Sequence, residues 1–483
     1  MKKINFGRNI QIESTSYFEP KTELEVLELL NRFKGRSIRC MGRLHSWSQV
    51  LDSPDILLNL RNLNGVVFID GPDKSVEVGA GCQIKHLLSE LEQTAVVTLP
   101  SVGFIAEQTI AGAISTGTHG SGRHSLSHYV KSVRVARYDQ QTGEAVIVEI
   151  TEGSELRAAR CSLGCFGVVL SVSMHCRPVY LIEEHFREHP QLEDVLAAEK
   201  EYPLQQFYLV PWRWTYFSQH RRESQSRPSK TFWLYHWYRF LAIDIGMHLL
   251  ILLVVHLLTM PAAVKAVFRW IAPVFVIRNW RVVGPSSSQL VMEHELFRHI
   301  EFEIFVQRSH LPNALLFIKQ SLEASGSPNY SPDALFRNQL QQANMSGEFE
   351  QLRGKYCHHY PICVRKILPD DTLVSMASNA GIAEQNEGGA STTNLTAHEA
   401  WYSITLTNYD RRLRRQRFEK LVAYLTQSIS ILFNGRPHWG KLCLLPPGEL
   451  RKLYPAFDEF REVCERVDKD HAFRNRWTRD LLQ

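Results

Sequence analysis

The sequence predicts an α+β fold of two lobes, and three observations carry that reading. Short β-branched runs separated by turn signals, with amphipathic helices between them, occupy the first 180 residues. Two turns built of small residues, at 41–48 and 111–122, stand far apart within that region. After Pro178 the texture changes to long aromatic stretches. The expected organisation is one domain over 1–180, a second over 181–430, and a segment over 431–483 that returns to the first.

Taken in order, Lys21 to Phe33 has helical spacing of Leu24, Val26, Leu27, Leu29 and Leu30 with acids early, which predicts an amphipathic helix. Ser37 to Cys40 reads as a short strand delivering the first small-residue turn. Ile56 to Leu60, Val66 to Ile69 and Ser75 to Val78 are strands, with Asn64-Gly65 and Gly71-Pro72 as turns between them. Ile84 to Glu92 predicts a helix, and Ser132 to Tyr138 with Ala145 to Ile150 a strand pair around Gln140 to Gly143. Leu163 to Val172 is a turn feeding a strand, and polar Asn379 to Thr396 is a surface loop.

Composition excludes several function classes. A hydrophobic share of 44% with 22% charged residues is ordinary for a globular protein. The net charge of +5 is small, and no basic run is interleaved with aromatics, so nucleic acid is not an expected partner. The arginine clusters at Arg221-Arg222 and Arg411 to Arg417 read as solvated helix faces or lipid-headgroup contacts. Nine cysteines, an odd number without a Cys-x-x-Cys pair, read as reduced thiols, so no metal is expected. The N-terminus lacks the apolar core of a secretory signal, and the expected location is cytoplasmic.

One stretch of the second region stands out. From Ile245 to Val264 there is no Asp, Glu, Lys or Arg, and aromatic and basic residues flank the run across 231–283. A bilayer span, a buried helix pair and an interfacial, monotopic hairpin all remain open, and two histidines with Pro261 favour the interfacial reading.

The turns hold the candidate chemistry. Met41-Gly42-Arg43-Leu44-His45-Ser46 and Ala111-Gly112-Ala113-Ile114-Ser115-Thr116-Gly117-Thr118-His119-Gly120 let backbone approach a ligand closely. A lone histidine after a strand is ordinarily a satisfied residue. Two such turns, the first holding His45-Ser46, together with Arg436-Pro437-His438-Trp439-Gly440-Lys441, resemble the PCMH-type flavoproteins of the vanillyl-alcohol-oxidase family. Within it the chain is most similar to the sugar-lactone branch of L-gulonolactone, D-arabinonolactone and alditol oxidases. The resemblance implies FAD held covalently by His45, with Met41, Gly42, Arg43, Leu44, Ser46, Gly112, Ala113, Ser115, Thr116, His119 and Gly120 around it and Val168 at its adenine end.

It also implies the chemistry: hydride transfer from a CH–OH group of a sugar lactone or related hydroxylated molecule to FAD, with O2 reduced to H2O2. Lys441 would supply positive charge beside the flavin, and Arg365 would match the arginine of the family's Glu-x-Arg pair. Cys363 stands where that glutamate belongs, and a thiol is a poor acceptor. Either the substrate carries fewer hydroxyls than a sugar, or Glu301, Glu303 or Tyr402 takes over the task. Phe104 replaces a substrate-binding serine, His438 is a further substrate candidate, and Gly103 matches the glycine of oxidases that leave oxygen a path. Two alternatives share the fold: a membrane dehydrogenase feeding quinone or cytochrome, and a flavin-binding scaffold without catalysis. Animal members of the branch are membrane-associated, which supports contact through 231–283. The oligomeric state is left open.

Overall fold

The computed structural model describes residues 2–483 apart from 53, 72–73, 259, 293–295, 383–394 and 410–411. Pro72, most of the 379–396 loop and the start of the Arg411 to Arg417 cluster therefore lie outside the described residues. Helix Glu23–Arg32 begins where Thr22 caps it, accepting from the Glu25 N–H at 3.2 Å. Acids in its first turn and Arg32 in its last suit the helix dipole, while Val26 and Leu30 enter the core. The predicted strands are present, shifted by one or two residues. Ile38–Met41 and Ser16–Phe18 flank Ile56–Asn59 in a small parallel sheet. A five-stranded antiparallel sheet runs Ala145–Ile150, Val130–Tyr138, Val168–His175, Ser75–Gly79, Val66–Ile69.

The second region is built on an eight-stranded antiparallel sheet. Its strands, numbered in chain order, are β1 (Leu181–His189), β2 (Gln206–Leu209), β3 (Tyr216–Ser224), β4 (Val282–Pro285), β5 (Ile300–Gln307), β6 (Ile362–Ile367), β7 (Trp401–Asn408) and β8 (Arg436–Pro437). Their order across the sheet is β4-β1-β3-β2-β6-β7-β5-β8. Alternation decides the two faces. Ile300, Phe302, Ile304 and Val306 of β5, with Tyr402, Ile404 and Leu406 of β7, pack against helices Leu311–Gly326 and Arg412–Phe433. Residues of opposite parity point the other way and line the site described below.

A helical hairpin packs beside this sheet. Its first arm runs from Phe232 to Leu258 in alternating α and π turns, and its second from Pro261 to Phe275. Ile251, Val254, Val264 and Phe268 bury against Val210 and Phe217 of the sheet side. The outer face stays uncovered: Trp233 is 65% exposed, Trp270 64% and Val274 75%. The arms approach closely at Gly246, where a Cβ would sit 3.0 Å from the Phe275 ring.

Arg436 joins the sheet to the first lobe. Its side chain is fully buried between Trp401 and Tyr454, and it donates to the carbonyls of Met376, Ser378 and Leu453. Replacing it by Met leaves three buried carbonyls without their donor. The expected cost for Arg436→Met is about 3 kcal/mol of stability, read as a lowered denaturant midpoint.

Candidate active site

Strand register gathers the polar side chains. Across the sheet, Glu303 pairs with Thr405, Thr405 with Cys363, and Cys363 with Tyr208, so four residues far apart in sequence form one transverse row. In the adjacent row of the same face, Arg365 pairs with Gln206, and its Nε donates to the Gln206 Oε1 at 3.0 Å. The Arg365 guanidinium lies over the Phe104 ring at 5.6 Å. These rows form one wall of a cavity of about 210 Å3. Ile243, Met247, Ala272 and Val276 of the hairpin line it as well.

The segment from Arg436 to Lys441 divides its duties. Arg436 and Trp439 are structural: the buried Trp439 indole donates to the Val374 carbonyl at 2.6 Å, and its own carbonyl accepts from Ser48. His438 and Lys441 reach the site. The His438 Nδ1 accepts from the Gly440 N–H at 2.9 Å, which places the ring proton on Nε2. Burial pushes the pKa of His438 down to about 3, so the ring is neutral. Lys441 bonds Glu301 and stands 4.4 Å from the Trp47 ring centroid. Burial alone would raise the Glu301 pKa; Lys441 and His299, the latter 3.4 Å away, outweigh it and hold the group well below the usual carboxylate range.

His119 completes the polar end. Its Nε2 lies 3.2 Å from Glu303 Oε1, the same oxygen that accepts from Thr405 at 3.0 Å. His119, Glu303 and His438 offer ligand atoms within 4.8 Å of one another. With His119 bonded directly to Glu303, the arrangement is a hydrogen-bonded set and not an open coordination site.

A second groove meets this cavity at Gln108, His438 and Lys441, which line both. Its edge is the turn Met41 to Ser46. Gly42 is required there, because a Cβ would stand 2.3 Å from the Thr109 hydroxyl. Leu44 adopts a φ of 60°, uncommon for its type. Among the described residues, the backbone N–H groups of Arg43, Leu44 and Ser46 donate to no protein acceptor. The turn is pinned from behind: Phe6 stacks on His45 with centroids 5.0 Å apart, and the Asn5 side chain donates to the Ser46 carbonyl at 2.8 Å.

Met41, Gly42, Arg43, Leu44, His45, Ser46, Gly112, Ser115 and Thr116 all line the groove. Gly103, Phe104, His119, Cys363, Arg365, His438 and Lys441 line the inner cavity. Gly103 has a packing reason to be glycine, since a Cβ would meet the Thr118 methyl at 2.5 Å. Ala113 and Val168 are buried beside the groove, which their neighbours Gly112, Gly167 and Val169 line instead. Gly120 faces a small adjoining cavity shared with Phe104 and Arg365. Tyr402 is corrected: its parity on β7 turns it to the helix-packed face, where its hydroxyl bonds Glu199 and Arg308 at 2.8 and 2.7 Å. Sequence reading missed Gln108, Thr109 and Tyr208; alternation along β2 was the signal for Tyr208.

Glu301 sets a pH dependence. Its depressed pKa contributes stability that is present above the unfolded value of about 4.3 and is lost as pH falls through the folded one. Lys441→Met removes the main counter-charge, so the Glu301 pKa rises and the variant is relieved by protonation. The gap in thermal midpoint between wild type and Lys441→Met should therefore narrow as pH falls from about 8 toward 5.

The chain matches the D-arabinono-1,4-lactone oxidase family over residues 172–481 and an FAD-binding domain over 15–146, which holds both small-residue turns. It is 46% identical over 480 residues to a long-chain alcohol oxidase of an uncultured marine euryarchaeote, covering 99% of this chain and 96% of that one. It is 24% identical to the L-gulonolactone oxidase of Mus musculus, covering 98% and 96%. The cholesterol oxidase of B. sterolicum shares the fold, with a TM-score of 0.73 at 15% identity, covering 100% and 96%. With its small-residue turns in the FAD-binding part and its polar row in the oxidase part, the chain belongs to the D-arabinono-1,4-lactone oxidase family of FAD-dependent oxidoreductases.

Proposed function

We propose that this enzyme oxidises the hydroxyl of an alcohol with a long apolar body, using FAD and O2 and releasing H2O2. The observation that carries this reading is the cavity itself. Hydroxyl-binding groups are concentrated on the sheet wall, while the hairpin contributes Ile243, Met247, Ala272, Pro273 and Val276, with only Asp244 and His248 polar. His248 stacks on Phe297, and burial lowers its pKa to about 4, so it is neutral. Cys363 and Phe104, in place of the polar residues expected for a polyol, add to the same reading. The relative named a long-chain alcohol oxidase supports it, being nearly twice as identical as the gulonolactone oxidase of mouse.

The groove residues fit FAD. Unpartnered N–H groups at Arg43, Leu44 and Ser46 suit a pyrophosphate, and Gly42 opens the space beside Thr109. FAD, when bound, supplies the two-electron acceptor for the carbinol hydride. Lys441 sets a positive charge where groove and cavity meet. The neutral His438 offers its Nε2–H at the same junction, and Arg365, held by Gln206, is a donor for the substrate oxygen. His45 lines the groove with its ring stacked on Phe6, which supports reading it as the residue that would carry FAD.

The hairpin suits an interfacial contact with a lipid bilayer. Within the helix Phe232–His256 an 18-residue stretch reaches a mean hydropathy of 1.9, long and apolar enough to cross a membrane, yet Met247, Ile251, Val254 and Val255 bury against the protein. Between residues 225 and 281 the only acid is Asp244, which faces the cavity, while Arg227, Lys230, Arg269 and Arg281 are exposed. That pairing of tryptophans with cations matches an anionic bilayer surface.

Three outcomes are expected. With a series of primary alcohols from butanol to octadecanol, peroxide formation should rise with chain length, and L-gulono-1,4-lactone should react at least tenfold more slowly than dodecanol. The reverse order overturns the substrate reading. Acid precipitation should give a yellow pellet that His45→Ala turns colourless; flavin left in the wild-type supernatant overturns the covalent link. In flotation, vesicles with a quarter phosphatidylserine should carry the protein upward, and Trp233→Ser combined with Trp270→Ser should abolish this. Wild-type protein remaining at the bottom overturns the bilayer contact.

A further inference from the structure

The carboxylate missing from β6 is available two strands away. Thr405 is the cross-strand partner of both Cys363 and Glu303, so the thiol and the carboxylate sit in the same transverse row on the same face. A row of that kind brings the β5 side chain toward the place a glutamate on β6 would serve, with the small Cys363 and Thr405 between them. Both residues line the cavity.

The other candidates at the sheet and C-terminal end of the cavity, opposite the hairpin that carries Asp244, are occupied. Glu301 gives one oxygen to Lys441 and the other to His299. His438 has its Nδ1 filled by the Gly440 N–H, which leaves it a donor. His119 uses Nδ1 on the Gly120 carbonyl at 3.0 Å and Nε2 on Glu303. Arg365 can only donate. Glu303 receives both His119 and Thr405 on Oε1, and Oε2 keeps its acceptor capacity. Burial would raise its pKa, but His119 foremost holds it well below the usual range, so it is the anion that a hydroxyl donor needs.

Resting on the alcohol-oxidase reading above, we infer that Glu303 is the catalytic residue that binds the substrate hydroxyl and accepts its proton. The alcohol O–H donates to Glu303 Oε2. The carbinol C–H hydrogen would leave with both electrons of its bond, the hydride for which FAD, when bound, would supply the acceptor. The O–H proton goes to Oε2, and the O–H electron pair becomes the second bond of the carbonyl. The alcohol would thereby lose two electrons, the number that FAD, when bound, would take up. His119 and Thr405 act as positioning residues by fixing the Oε1 side of the carboxylate.

The test uses holoenzyme and two readouts. In anaerobic stopped flow with dodecanol, Glu303→Gln should slow flavin reduction by about 100-fold or more. Adding Cys363→Glu to Glu303→Gln should recover at least tenfold of that loss, because it restores a carboxylate in the same row. In equilibrium titration followed by flavin absorbance, with no turnover, dodecanoate should bind Glu303→Gln at least tenfold more tightly than wild type, since the ligand anion then meets no fixed one. A wild-type reduction rate in Glu303→Gln, or unchanged dodecanoate affinity, overturns the inference. Should Glu303→Gln fail to fold, Glu303→Asp serves: lowered kcat with wild-type dodecanoate affinity supports the role, and unchanged kcat overturns it. If dodecanol leaves wild type oxidised while L-gulono-1,4-lactone reduces it, the substrate reading falls alone, and the same comparison with the lactone still decides for or against Glu303.

Discussion

The half-buried pair of Lys441 and Glu301 is the contact on which the site depends. Lys441 arrives on the C-terminal hook anchored by Arg436 and Trp439, and Glu301 comes from β5 of the sheet. Neither charge is stable in that position alone, since a buried ion without its partner costs several kcal/mol. The pair therefore fixes the hook against the sheet at the point where groove and cavity join. Trp47 closes the arrangement from the first lobe, with its ring beside the Lys441 ammonium and its backbone N–H bonded to the Gly440 carbonyl at 2.9 Å. Three segments distant in sequence thus meet around one ammonium group.

The sheet supplies everything else by alternation. The same β5 strand gives Phe302 and Ile304 to the helix-packed core and Glu301 and Glu303 to the cavity. A shift of register by one residue would exchange the two sets. The core on one face thereby locks the chemistry on the other, and the position of each carboxylate is set by hydrophobic packing behind it.

Much of the first lobe was legible because its signals are local. Val66 to Ile69 and Ala145 to Ile150 are β-branched runs between turn residues, and both form the strands expected of them. The turn around His45 and the segment around Lys441 were legible as motifs. The row of Glu303, Thr405, Cys363 and Tyr208 was not, because cross-strand partners are fixed by pairing between distant segments, which no local pattern encodes. Tyr402 shows the same limit: its residue type suits a substrate site, and only its parity on β7 excludes it. The hairpin offered its hydropathy to the sequence but not its two-sidedness, since Met247 faces inward and Leu249, two positions on, is exposed.

That two-sidedness separates two kinds of change. The residues proposed to hold the reacting hydroxyl belong to hydrogen-bonded strands whose opposite side is a packed core, so substitutions there propagate. The hairpin wall belongs to helices whose backbone ladders close within each arm, so alterations at Ile243 or Met247 can reshape the cavity without breaking a strand ladder. Specificity for the tail can drift independently of the chemistry at the head.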